Sequence, residues 1–151
     1  MNITIATVGK MKSRPEKFLW DKYIRQINWS LTLIEVEERK PLNKKQLIAR
    51  EAELLQKALL PETYIVALDK SGKNFSSPSF ARLFQEWISD NRKCITFIIG
   101  GAEGLNNTIL DQADLIMSMG TLTWPHLFAR CMLLEQIYRS QRIFTNHPYH
   151  R

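Results

Sequence analysis

Cysteine is scarce in this 151-residue chain: Cys94 and Cys131 stand far apart, with no CxxC spacing. Cys94 opens an apolar strand and Cys131 falls in an apolar helix, which reads as two buried thiols rather than a disulfide framework or zinc site. Long apolar runs are missing as well. None approaches the ~20 residues that cross a bilayer, so no membrane partner is expected. The opening MNITIATVGK alternates like a strand and lacks a secretory apolar core with a small-residue cleavage site; a cytoplasmic protein is expected. Neither GxGxxG after a first strand nor GxxxxGK[ST] occurs, which argues against a dinucleotide fingerprint and a phosphate loop. No carboxylate pattern accompanies the histidines, and no metal is expected.

What is present suits a soluble globular protein. A hydrophobic fraction of 44% and a charged fraction of 24% are those of a packed fold, and the length fits a single domain over residues 1–151. The net charge is +6, and its distribution says more than its size. Residues 1–60 carry 12 basic and 7 acidic side chains, residues 61–123 carry 5 and 7, and residues 124–151 carry 4 and 1. The two ends are basic and the middle is slightly acidic. A basic surface draws polyanions by counterion release, which makes nucleic acid one partner class among several.

Hydropathy alternates between strand and helix periods from end to end. Asn2–Val8 reads as a strand. Ser13 with Glu16 has capping-box spacing and predicts a helix with a Trp20, Tyr23, Ile24, Ile27 stripe. Leu31–Glu37 is a second strand, Lys44–Leu59 a second helix and Thr63–Leu68 a third strand. Ser77-Pro78 predicts an N-cap and first helical residue for a helix burying Phe80, Leu83, Phe84, Trp87 and Ile88. Cys94–Ile99 is a fourth strand; a short helix near Asn106–Ala113 precedes a fifth strand near Leu115–Met119. The last helix begins near Pro125, with Thr123 as its cap, and runs to about Ile143. This order predicts an α/β fold with a mostly parallel sheet and helices on both faces, binding ligands in loops beyond the carboxyl ends of the strands.

Three such loops carry candidate chemistry. Leu68-Asp69-Lys70-Ser71-Gly72-Lys73 follows the third strand and reads as a polar turn or ligand loop. Ile99-Gly100-Gly101-Ala102-Glu103-Gly104-Leu105 follows the fourth, where paired glycines permit close backbone approach to a bound molecule. Ser118-Met119-Gly120-Thr121-Leu122-Thr123-Trp124-Pro125-His126 follows the fifth, mixing backbone freedom, hydroxyls and apolar surface in a way that suits an adenine and a ribose. From Leu127 to Tyr138 nine of twelve residues are apolar, which predicts burial on nearly every side and hence a second copy of the chain as cover. The tail collects His147, His150, Arg151, Pro148 and Tyr149 behind Arg139 and Arg142.

Taken in order, IGGAEGL, the segment before LTWPH, and the ending LLEQIYRSQRIFTNHPYHR resemble one bacterial family over essentially the whole chain. These are the SPOUT-type methyltransferases that act on N3 of a pseudouridine in large-subunit (23S) ribosomal RNA. The resemblance implies a C-terminal trefoil knot, a homodimer, and S-adenosylmethionine as methyl donor. By motif position it implies cofactor contacts at Leu68, Gly100, Met119, Gly120, Thr121, Leu122, Thr123 and Trp124. It points to Tyr149, His150 and Arg151 for substrate and catalysis, with His150 as candidate base and Arg151 as a cation favouring the imide anion. His126 and Arg130 are candidates for contact with RNA or the partner subunit, and Glu135 for an interface carboxylate paired with an arginine. Family members often carry serine and leucine in place of Met119 and Gly120, and leucine in place of Trp124; these departures reshape a pocket wall without removing backbone contacts. The alternative expectation is a non-catalytic ribosome-associated factor that keeps the fold, which cofactor binding distinguishes.

Overall fold

A computed structural model describes residues 1–145. Its elements run β1 (Asn2–Val8), α1 (Pro15–Ile24), β2 (Ser30–Val36), α2 (Lys44–Ala58), β3 (Tyr64–Asn74) and α3 (Ser77–Ser89). They continue as β4 (Cys94–Ile99), α4 (Asn107–Leu110), β5 (Leu115–Ser118) and α5 (His126–Phe144). The five strands form one sheet in the order β2-β1-β4-β3-β5, every pair parallel.

Parallel neighbours need crossover connections, and right-handed crossovers fix which face each helix covers. The β1-to-β2 and β3-to-β4 steps move one way along the sheet, while β2-to-β3 and β4-to-β5 move the other. Thus α1 and α3 lie on one face, joined by α5, and α2 and α4 lie on the opposite face. The two cores follow this division. Ile3, Ile5, Val66, Phe97 and Ile99 point to the first face, meeting Phe80, Phe84, Trp87 and α5's Leu134 and Ile137. Ala6, Val8 and Ile98 point to the second, meeting Ala52, Leu55 and Ile109. Alternation by two along each strand produces both sets, so covered strands read as continuous apolar runs.

Several helix starts differ from the sequence reading. The Ser13–Glu16 capping box does not form: α1 begins at Pro15, with Arg14 in the cap position and no side-chain cap bond. Proline at the first turn supplies the helical φ and needs no donor partner, so the start does not depend on Ser13. In α3 the cap is Ser76, one residue earlier than expected, and its Oγ accepts from Ser79 N at 3.2 Å. Helix α5 is capped by Pro125 without a side-chain bond, leaving Thr123 exposed in the preceding loop. A true capping box occurs at α2, where Asn43 and Gln46 satisfy each other's backbone N–H groups.

The third strand is longer than its apolar run. Residues expected as the loop after Leu68 continue β3 to Asn74, with the register broken so that Leu68 and Lys73 both align with Met117. Asp69 Oδ1 accepts from Ser71 N at 2.9 Å and shapes this break. Gly72 then passes directly over β5: a Cβ there would lie 2.5 Å from Met117 N and 2.6 Å from Ile116 C. The glycine serves backbone approach here, not a left-handed turn.

Candidate methyl-transfer site

All five strands point the same way, so their carboxyl ends share one edge of the sheet. Because β3 lies between β4 and β5, that edge places Leu68, Gly100 and the segment after Ser118 side by side. Leu68 is half-buried and aligns with Ile99 on one side and Met117 on the other. Gly100 is buried, and the turn behind it is tight: a Cβ would meet Gly104 C and O at 2.8 Å. Gly104 N donates to Gly101 O at 3.1 Å, and the two glycines face each other as an isolated antiparallel bridge.

The 119–124 segment forms the outer wall. Ser118 Oγ donates to Gly120 O at 2.9 Å, and Trp124 Nε1 donates to Met119 O at 3.3 Å. These two bonds fold the loop back on its own backbone. Gly120 adopts φ +104°, with no atom within 4 Å of the place a Cβ would occupy. Met119 is partly buried against the core, while Thr121, Leu122, Thr123 and Trp124 are exposed, Leu122 by 70%. The rim therefore offers two hydroxyls and apolar side chains around open space. Such a set fits a ligand with a flat apolar ring and a polyhydroxyl ring. A polar groove of about 470 Å³ opens at the opposite edge, by Thr63, Lys93, Cys94 and Asp114, away from these loops.

Next to this rim lies a buried polar cluster. Arg130, expected at an RNA or partner surface, is instead fully buried within its own chain. Its Nη2 donates to Val8 O at 2.6 Å and Gly9 O at 2.9 Å, and its Nη1 to Glu35 Oε1 at 2.9 Å. The same Glu35 oxygen accepts from Met11 N at 2.6 Å. Burial lowers the guanidinium's proton affinity and the Glu35 charge opposes that shift. A fork of donors that satisfies two carbonyls and a carboxylate explains why an arginine is tolerated there. His126 sits one turn earlier on α5, its Nε2 3.5 Å from where a Gly9 Cβ would be. Burial, then Arg130 and Arg14, push its pKa below the ordinary histidine value.

Glu51 is a buried acid. It projects from α2 beneath Gly101, whose Cβ would meet the two carboxylate oxygens at 3.1 and 3.2 Å, and its Oε2 has no hydrogen-bond partner. Burial, then the charge of Glu103, raise its pKa. Neither Glu35 nor Glu51 is singled out by motif reasoning. The signal was an acid within an apolar pattern: Glu35 interrupts the LTLIEV strand, and Glu51 shares the helical face of Ile48 and Leu55.

Glu135, expected to pair with an arginine at a subunit interface, pairs with Arg139 of its own helix at 2.6 Å. Cys131 is buried and donates to Glu16 O at 3.4 Å. Tyr149, His150 and Arg151 lie outside the described residues. Among the described residues, no group of three or more His, Cys, Asp or Glu is placed to hold a metal, and no helix is long and apolar enough to cross a membrane.

With this edge geometry established, comparison with known proteins is decisive. The family model described as a predicted SPOUT methyltransferase matches residues 1–150. The chain belongs to the SPOUT methyltransferase family. A relative from Paramagnetospirillum magneticum, named ribosomal RNA large subunit methyltransferase H, is 43% identical over 100% of this chain and 99% of its own. One of the same name from Rhodospirillum centenum is 42% identical over the same shares. Among solved structures, a probable methyltransferase from Bordetella pertussis superposes with TM-score 0.60, covering 92% of this chain and 95% of that one at 14% identity. That likeness concerns the fold: the parallel α/β sheet of this SPOUT chain is shared with a methyltransferase of very different sequence.

Proposed function

We propose that this enzyme transfers a methyl group from S-adenosylmethionine to N3 of a pseudouridine in large-subunit (23S) ribosomal RNA, on assembled ribosomes. The observation that carries the reading is the meeting of Leu68, Gly100 and residues 119–124 at one open rim in a SPOUT-family chain. Full-length relatives named for large-subunit rRNA methylation support the substrate class.

The residues fit the cofactor. Main-chain groups at Leu68, Gly100, Met119 and Gly120 line the rim, the Met119 and Gly120 carbonyls each keeping a second lone pair beyond the bonds from Trp124 and Ser118; Thr121 and Thr123 provide hydroxyls; Leu122 and Trp124 provide apolar cover. When bound, the cofactor supplies an electrophilic methyl on a sulfonium. The chain's own tasks are then to orient the acceptor base and manage one proton. Arg151 favours the imide anion at N3, and His150 accepts the N3 proton as the N–C bond forms and the S–C bond breaks. Tyr149 orients the base by stacking or hydrogen bonding.

A second copy of the chain completes the protein. Phe128, 49% exposed, lines an apolar groove of about 310 Å³ together with Leu19, Tyr23, Met119 and Met132, and Phe18 of α1 is 79% exposed. The chain itself covers most of α5 through α1, α3 and the sheet, and this patch holds Phe128, the one exposed large apolar side chain of that helix. Its contact with Met119 puts the partner beside the cofactor rim. Membership of the SPOUT family carries the proposal of a C-terminal trefoil-knotted path.

The test is transfer of labelled methyl groups to assembled ribosomes, isolated large subunits and protein-free rRNA, all from cells lacking this protein. Label in large-subunit rRNA, greatest in assembled particles, is the expected result. No label in any substrate, from folded protein that binds the cofactor, refutes the reading.

A further inference from the structure

We propose that residues 9–14, between β1 and α1, form a pre-set RNA phosphate-binding loop beside the cofactor rim, and that buried Arg130 is its positioning residue. The inference rests on the rRNA reading above and names the surface that meets the RNA.

The loop reads Gly9-Lys10-Met11-Lys12-Ser13-Arg14, three cations and no acid. Among the described loops at either edge of the sheet, no other carries three cations without an acid. At the opposite edge, Glu62, Asp90, Asp111 and Asp114 outnumber Arg25, Arg92 and Lys93. At the same edge, the loop after β2 balances Glu37 and Glu38 against Arg39 and Lys40. Glu37 lies near Lys10 and Lys12 but is engaged by Arg39 at 2.9 Å. The basic loop is therefore the most positive loop on the edge that carries the site.

Its backbone is held unusually well for a surface loop. Gly9 N donates to Val36 O at 2.7 Å, and Arg130 takes the carbonyls of Val8 and Gly9. Glu35, paired with Arg130, takes Met11 N, while the Met11 side chain is buried in the core. Alternation then sends Lys10 and Lys12 outward on either side of the Met11 anchor, and Arg14 precedes the helix, also exposed. Gly9 packs on His126, and Arg14 is close enough to lower the pKa of His126, which follows the 119–125 segment directly. The loop and the cofactor rim are thus neighbours. Exposed flexible lysines lose conformational entropy on binding; fixing their backbone reduces that cost. This gives Arg130 a physical role in RNA binding without contact to RNA.

The test compares the wild type with a Lys10→Ala/Lys12→Ala/Arg14→Ala variant, an Arg92→Ala/Lys93→Ala control at the opposite edge, and Arg130→Lys. Binding to large ribosomal subunits is measured by sedimentation across a salt series, alongside methyl-transfer kinetics and cofactor affinity. The triple variant is expected to weaken subunit binding and raise KM about ten-fold or more, and to flatten the slope of log K against log salt by about 2–3. Its kcat and cofactor affinity stay at wild-type values. Arg130→Lys shifts KM in the same direction with cofactor affinity unchanged, and the control shifts neither. Unchanged binding and salt slope in the triple variant, an equal loss in the control, or a fall in kcat at constant KM each overturn the proposal. A wild type that binds subunits through these residues yet transfers no methyl group refutes the proposed activity while leaving the loop assignment standing.

Discussion

Replacing Gly72 by alanine tests the crossing of β3 over β5. The added Cβ would stand 2.5 Å from Met117 N and 2.6 Å from both Ile116 C and Met117 C. Non-bonded carbon contacts rest at about 3.5–4.0 Å, so the two backbones must part by about 1 Å. All three obstructing atoms are main chain, and β5 is held to β3 on both sides of the register break, at Leu68 and at Lys73. No side-chain rotation can relieve the overlap. The cost belongs at the upper end of the overpacking range, about 3 kcal/mol, which for a chain of this length lowers Tm by about 6–12 °C. The displacement is passed to Met119 and Gly120, only two and three residues beyond Met117, so S-adenosylmethionine affinity should fall at least ~10-fold, measured by isothermal titration. Gly104→Ala is the matched control. Gly104 sits at φ +83° in open space, so its substitution carries only backbone strain of about 1 kcal/mol. A Gly72→Ala protein melting within about 2 °C of wild type, or a Gly104→Ala protein losing more, refutes the steric argument.

Other expectations follow from the buried charges and the apolar patch. Arg130→Met leaves Val8 O, Gly9 O and part of Glu35 without their donors and should cost about 3–5 kcal/mol in denaturant melts; a loss under about 1 kcal/mol counts against a buried anchor. Glu51 has a folded pKa raised above its ordinary 4.5, so the native state binds its proton more tightly and loses stability as pH rises from about that value. Glu51→Gln should therefore raise Tm at pH 7, with the gain vanishing near pH 4; equal gains at both pH values contradict this. For His126 the folded pKa is lowered, so stability is lost as pH falls from about 6.5 toward that lower value, and its ring protons should titrate below a model histidine in NMR spectra. Phe128→Glu should turn a dimer into a monomer in sedimentation velocity without unfolding it; a persistent dimer places the subunit contact elsewhere.

What the sequence determined by itself was periodic or sequential. Near-continuous apolar runs such as CITFII mark strands covered on both faces, and the Phe80, Phe84, Trp87 stripe marks a buried helix. The loop motifs, taken in order, pointed to the family and to the edge where its ligands sit. Tertiary structure decided what depends on partners distant in the chain. Strand order made neighbours of Leu68, Gly100 and Met119, because crossover direction, not hydropathy, sets which strands adjoin. Gly72 looked like a turn residue, and only its position over β5 shows that backbone proximity requires it. Arg130 looked like a surface cation, since arginine is usually exposed; three acceptors 95 to 122 residues away allow it to be buried. A local pattern reports how often a side chain meets water, and a buried charge survives only where the folded chain has brought its counterparts within hydrogen-bond reach.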